Sequence, residues 1–365
     1  MNLANVNKKL FKYMFIVIGA FVGILLIIGI TKLIIGNKLS YQKIEEKMQK
    51  ATVEYLNDKD TELSLPTGNE VINVNVEDLV ANKNIKELSK YVKDKNVTCT
   101  GNVVVRKQND EYLYIPYLDC GDAYKTITLK DYIIEKKGIV DEGDGLYYLN
   151  NEYTYRGEYV NNYVSFAGQL WRILKIDSDG NIKLLQDETK VRKPWDDRYN
   201  VEVKSSVGIN NYELSRVNKL LNDLYEEIFS NDDKKYITPK NLCVGKRFVG
   251  DTTKDGQTEC AEILENQKIG LIQIDEYLRV SLDPNCTKVR EGACQNYNYL
   301  SKYREEWWSI TPNAVDTTNV YEIYGGIANT SNASIYKLVR ASIYLNNDVI
   351  YVSGDGSQEN PYVFK

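Results

Sequence analysis

The sequence predicts an α+β protein: an N-terminal transmembrane helix running into a helical stalk, a small α+β domain, then a larger mixed α+β domain with short strands. Three observations carry this expectation. The run "YMFIVIGAFVGILLIIGIT", Tyr13 to Thr31, holds no charge, and apolar residues resume at Leu33, Ile34 and Ile35. At about 1.5 Å per residue it covers a hydrocarbon core roughly 30 Å thick. Ile44, Met48, Ala51 and Tyr55 then recur at helical spacing, one apolar stripe of an amphipathic helix. Beyond them, short β-rich runs alternate with turns of Gly, Asn and Asp.

The expected divisions are a cytoplasmic tail over 1–12, an anchor over 13–35, a stalk with a small domain over 36–137, and a second domain over 138–365. A cleaved signal peptide has a shorter apolar region and a small-residue cleavage site, so a retained anchor fits better. Lysines flank the run on both sides, Lys8, Lys9 and Lys12 before it and Lys32, Lys38 and Lys43 after it, so counting positive charge does not orient it. The cysteines do. All six follow the run and fall into near neighbours: Cys99 with Cys120, Cys243 with Cys260, and Cys286 with Cys294. With no Cys-x-x-Cys and no histidine, disulfides are the better reading than zinc, and neighbour pairing is the expected connectivity. Disulfides need an oxidising compartment. The expected location is therefore the cell membrane, single-pass, with the C-terminal mass extracellular.

Composition removes whole classes of function. Hydrophobic residues make up 43% of the chain, enough for a substantial core. The net charge of −5 is spread out, leaving no basic stripe for a phosphate backbone, so nucleic acid is not an expected partner. Histidine is absent, which excludes imidazole bases, Ser-His-Asp and Cys-His pairs, and His-ligated metals. No P-loop, dinucleotide turn or G-x-S-x-G elbow occurs, so no cofactor, metal or catalytic residue is expected.

Along the chain, "LPTGNE" ends the stalk, and "INVNVEDLVANKN" reads as a strand followed by a helix opening at Glu77 or Asp78. "CTGNVVVRKQNDEYLYIPYLDC" is a hairpin with Cys99 and Cys120 near its outer ends. Gly138, Gly143 and Gly145 mark the domain boundary. "QLWRILKIDSDGNIKLLQDE" gives two strands joined by an Asp-Gly turn. Asp177, Asp179 and Asn181 in that turn space oxygens as calcium loops do, but the glycine at the sixth position and the distant bidentate Glu are missing. Leu214, Val217, Leu220, Leu221 and Leu224 share one helical face. "GLIQIDEYLRVSL", "WWSITP", "VYEIYGGI", "YKLVRASIYL" and "PYVF" read as short strands.

Three residues are candidates for ligand contact. Consecutive strand residues point to opposite faces, so of Trp307 and Trp308 one faces the core and Trp308 is left as a stacking surface. Trp195 and Arg198, in the loop "RKPWDDRY", have the composition of a contact surface. A glycosidase pair among the many Asp and Glu residues cannot be singled out by spacing.

Two resemblances add to this. The apolar N-terminal run, its amphipathic extension and "CTGNVVVRKQNDEYLYIPYLDCGDAY" resemble the layout of type IV pilins and pseudopilins over residues 13 to 126, implying a pilin-like shape and pilin-like partners. The prepilin-peptidase site has no counterpart near "NKKLFKYMFIVIG". From about residue 141 onward, "GDGLYYLNNEYTYRGEYVNNYVSFAGQLWRIL", "IGLIQIDEYLRVSLDPNC", "WWSITP" and "LVRASIYLNNDVIYVSGDGSQENPY" resemble one uncharacterised family of bacterial cell-surface domains. That resemblance implies a C-type-lectin-like or formylglycine-enzyme-like fold with late tryptophans and an Arg in its core. Val339-Arg340-Ala341 departs from the family's usual Val-Arg-Pro. The expected function is a membrane-anchored binding or adhesion protein for a surface glycan or protein ligand, with no catalytic chemistry. The alternatives are an accessory subunit of a pilus or secretion assembly and a carboxylate-based surface glycan hydrolase.

Overall fold

A computed structural model describes residues 38–58, 63–68, 70–108, 111–302 and 305–365. The chain divides into two units, Met1–Thr126 and Ile127–Lys365.

In the first unit, helix α1 (Tyr41–Asn57) opens at Ser40, whose side chain accepts from the Lys43 amide. Its stripe of Ile44, Met48, Ala51 and Leu56 is buried. It packs on an antiparallel sheet of β1 (Val71–Asn75), β2 (Thr100–Gln108) and β3 (Glu111–Asp119), hydrogen-bonded in that order. Val74, Val103, Val105 and Leu118 fill the space beneath it. The helix comes so close that a Cβ on Gly101 would meet Met48 Cε at 2.8 Å and the Tyr117 carbonyl at 2.7 Å. Between β1 and β2, helix α2 (Val76–Ala81) starts one residue before the expected Glu77. Glu45, on the buried side of α1, accepts from the hydroxyls of Tyr124 and Thr126 and ties the helix to the chain after β3. Cys99 and Cys120 are bonded, with Cα atoms 4.1 Å apart.

This packing corrects the expected fold class and the expected location. The stripe read as one side of a stalk is the core of a small unit in which a helix packs on an antiparallel sheet, and strands rather than long helices dominate the rest of the described chain. Among the described residues no helix is long and apolar enough to cross a membrane. The expected tail over 1–12 and anchor over 13–35 lie outside the described residues. No described helix carries the single-pass, membrane-bound reading, and the stalk gives way to this small core.

The second unit takes in residues 127–137, read from the sequence as part of the first domain. Helix α3 (Leu129–Tyr132) is capped by Thr128, and Leu129 and Ile133 enter this unit's core. Strands β4 (Gly145–Leu149), β5 (Glu152–Arg156), β6 (Tyr163–Phe166), β7 (Gln169–Ile176), β8 (Ile182–Gln186) and β16 (Ser342–Leu345) form one sheet, in the order β16-β8-β7-β5-β4, with β6 also on β7. A second sheet runs β14-β13-β12-β15-β9, from Ile327–Asn332, Asn319–Tyr324, Trp307–Pro312, Tyr336–Leu338 and Arg192–Pro194. Helix α4 (Arg216–Ile228) buries Val217 and Leu221, while Leu214 precedes the cap Ser215 and is exposed.

One element differs in kind from its expectation. "IDEYLRV", read as a strand, is helix α5 (Ile274–Val280), closed at its start by a capping box between Gln273 and Glu276 and buried at all seven positions. Two further strand pairs, β10 (Lys240–Cys243) with β11 (Ile263–Gln267) and β17 (Tyr351–Ser353) with β18 (Val363–Phe364), stand apart from both larger sheets. The Cys243–Cys260 and Cys286–Cys294 disulfides are formed, as neighbour pairing predicts.

If α1 belongs to the core, Met48→Ala should destabilise the first unit by about 2–5 kcal/mol, the usual range for such a truncation. Hydrogen exchange of β2 and β3 amides in the whole protein measures this. Unchanged protection would return α1 to the role of a free stalk.

Candidate functional site

The site begins with a lysine in each of two largely apolar strands. Strand register places Thr154 opposite Lys175, Lys175 opposite Lys183, and Lys183 opposite Tyr344, one row across β5, β7, β8 and β16. A bulge in β7 creates this row. Ile173 pairs with Leu184 and Lys175 with Lys183, so Leu174 is the extra residue that turns Lys175 onto the same face as Lys183.

Like charges directly opposite one another destabilise a sheet unless something neutralises them. Helix α5 supplies the counter-charge. Glu276 accepts from Lys183 Nζ at 2.7 Å through both carboxylate oxygens and lies 3.6 Å from Lys175 Nζ. Glu152, at the start of β5, accepts from Lys175 at 2.9 and 3.0 Å. Arg279, one turn along α5, joins Asp275 and lies 3.5 Å from Glu152. The β4–β5 turn that presents Glu152 has Asn150 and Asn151 at φ 52° and 63°, the left-handed pair a tight hairpin requires.

Burial sharpens this electrostatics. The side chains of Lys183 and Glu276 are 2% and 4% exposed. Burial by itself would raise the Glu276 pKa, but Lys183 and Lys175 outweigh it and hold the carboxyl at about 2. Burial would lower the Lys175 pKa, yet Tyr344, Glu276 and Glu152 push it upward. Deeper still, Arg247 and Glu259 are both fully buried and 2.9 Å apart. There burial, with Asp275 adding to it, prevails over Arg247 and pushes Glu259 up to about 7.

Above this network lies a cleft of about 260 Å³. Its walls include Glu152, Lys175, Asp177, Lys240, Asn241, Gln273, Arg279 and Tyr344, with the Cys243–Cys260 disulfide. Lys240 sits 2.9 Å from Asp177 and 2.7 Å from Asp179, so the β7–β8 turn is clamped by a cation. Asp177 also accepts from the amides of Asp179 and Asn181. The hairpin reading of "DSDGN" thus has its physical cause. Among the described residues no group of His, Cys, Asp and Glu could hold a metal ion.

The ligand residues expected from the sequence lie elsewhere. Trp307 and Trp308 are both fully buried, so neither leaves an open shelf. Trp307 packs edge-on to Tyr277 of α5, and Trp308 donates to the Lys193 carbonyl at 3.0 Å. Trp195 is equally buried and donates to the Ser309 carbonyl at 3.1 Å. Arg198 donates to buried Asp196 at 2.8 and 3.0 Å, closing its own loop. None of the three lines the cleft. The residues that do were missed, although Lys175 in "WRILKI" and Lys183 in "NIKLLQ" were visible as lone charges in apolar strands.

Compared with known protein families, curated proteins and solved structures, the chain matches none.

Two outcomes follow from the network. Lys183→Met should cost about 3–5 kcal/mol in urea unfolding, because it strands a buried carboxylate; a loss below about 1 kcal/mol would mean that Lys175 alone satisfies Glu276. The pH profile should peak near the ordinary carboxyl value. Glu276, with a depressed pKa, contributes stability that is present above 4.5 and lost as pH falls toward about 2. Glu259, with a raised pKa, contributes stability that is present below 4.5 and lost as pH rises through about 7. Glu259→Gln should flatten the neutral limb of a melting-temperature profile and leave the acid limb intact.

Proposed function

We propose that the second unit is a saccharide-binding module working in an oxidising compartment, and that its cleft takes a sugar ring without transforming it. The arrangement of the cleft's charges supports this reading. Ammonium and guanidinium groups only donate hydrogen bonds and carboxylates only accept them, whereas a hydroxyl does both. Lys175 beside Glu152, and Lys240 beside Asp177, therefore offer paired stations at which one hydroxyl can bridge cation and anion. Asn241 and Gln273 add amides that also do both, and half-buried Tyr344 adds a ring. Ligand clefts commonly run to roughly 300–1,000 Å³, so 260 Å³ suits a small ligand such as a single ring.

Binding is preferred to chemistry because the two carboxylates beside the cleft's lysines are engaged. Glu152 is held by Lys175, and Asp177 by Lys240 and two backbone amides. An acid or base in glycoside hydrolysis must be able to exchange its proton with the substrate. The three disulfides support a place outside the reducing cytoplasm.

A glycan array probed with the whole protein, followed by calorimetry on the best hit, tests the proposal. Lys240→Gln should weaken that hit about tenfold or more by removing charge-assisted hydrogen bonds. Absence of any glycan binding, or cleavage of the bound glycan, would overturn it.

A further inference from the structure

We infer that an anion-binding subsite adjoins the cleft, so that the saccharide carries an acidic group: a carboxylate, or a sulfate or phosphate ester. The inference rests on the saccharide reading for the identity of the ligand and on separate residues for its charge.

A second pocket, of about 320 Å³, is lined by Leu149, Asn150, Arg156, Lys254, Asp255 and Arg279. It shares Asn150, Asp255 and Arg279 with the cleft, so the two spaces have a common wall. Three of its six lining residues are cations and one is an acid. That acid, Asp255, already accepts from the Gln257 amide at 3.0 Å.

Arg156 and Lys254 differ from the other buried and half-buried cations around the cleft. Lys175, Lys183, Lys240, Arg247 and Arg279 each have a carboxylate partner. Among the described residues Arg156 and Lys254 have none within ion-pair distance. Both are instead held by backbone carbonyls. Arg156 donates through Nε to Arg279 at 2.8 Å and through Nη2 to Ser281 at 3.0 Å, with its guanidinium 4.8 Å from the Tyr147 ring centre. Lys254 donates to the Cys286 carbonyl. Carbonyls and a ring face fix the position of a cation without cancelling its charge.

The remaining electrostatics agree. Burial lowers the pKa of Lys254, and Arg156 lowers it further against the opposing charge of Glu291; burial lowers that of Arg156, with Arg279 acting in the same sense against Tyr147. Cations that repel one another across a small pocket are stabilised by an oxyanion seated among them. Arg156 supplies a planar guanidinium and Lys254 a compact ammonium, a combination that suits planar carboxylates and tetrahedral esters alike. Asp255 on the shared wall sets a limit of one anionic group at this end of the ligand.

The test is calorimetry on the whole protein with glucose, glucuronate, glucose 6-sulfate, glucose 6-phosphate and inorganic sulfate. Lys254→Gln is the main variant, because Lys254 is half-exposed and its loss leaves the core untouched. Arg156→Lys serves as a second variant that keeps the charge and removes the fixed donors. The expected result is that at least one acidic sugar binds about tenfold or more tighter than glucose, and that the gap closes in Lys254→Gln while glucose binding is unchanged. The uronate and ester arms identify which anion is preferred. Equal binding of acidic and neutral sugars would overturn the inference and leave the saccharide reading standing. Sulfate binding that depends on Lys254, with no sugar bound, would overturn the saccharide reading and leave the anion site. Binding of nothing would overturn both.

Discussion

Glu276 is the constraint on which the second unit depends. Among the described residues it is the one carboxylate that meets both Lys175 and Lys183, which strand register places opposite each other, and it comes from a different element, α5. Without it Lys183 would be a buried cation with no carboxylate beside it, while Lys175 would keep only Glu152. With it, the helix is pinned to the sheet, and the helix in turn carries Arg279 to the cleft wall and Tyr277 against Trp307. A buried ion pair adds little net stability over a hydrophobic substitute, but breaking one is costly. The arrangement therefore fixes geometry more than it raises stability, which suits the wall of a binding cleft.

Elsewhere the chain repeats the device. Glu45 ties α1 to the hydroxyls after β3, Asp196 collects Arg198 and the amides of Ile209 and Arg216, and Asp144 accepts from the amides of Glu158 and Tyr159. Each is an acceptor for several donors brought from distant or looping chain. A protein of short strands and long connections must satisfy many loop amides, and a carboxylate with two oxygens does so efficiently. The disulfides act alongside, one in the first unit and two in the second, with Cys243–Cys260 in the cleft wall itself.

How much of this was legible in the sequence follows from the range of the interactions. The disulfides and the β7–β8 hairpin were readable because their partners lie close in sequence and their turn chemistry is local. The stripe Ile44, Met48 and Ala51 was readable as a packing face, but periodicity does not say what covers it, and a stalk and a small core share the same pattern. Helix α5 was missed because it has only seven residues and its acids and arginine are buried, so "IQIDEY" imitates the alternation of a strand. Trp308 was misplaced for a related reason. Alternation assigns neighbours to opposite faces but does not show that both faces of β12 are covered. The cleft was illegible because Lys183 and Glu276 are 93 residues apart, and only strand register and a bulge bring them together.

The central claim is that Glu276 and Lys183 are energetically coupled across the interface between α5 and the sheet. A double-mutant cycle with Lys183→Met and Glu276→Gln, read by urea unfolding of the whole protein, measures that coupling directly. The account predicts a coupling energy of about 1–3 kcal/mol, with the double variant more stable than the two single losses would sum to. Additivity to within about 0.5 kcal/mol would contradict it, and Glu276 would then be one buried acid among several rather than the group that sets the site.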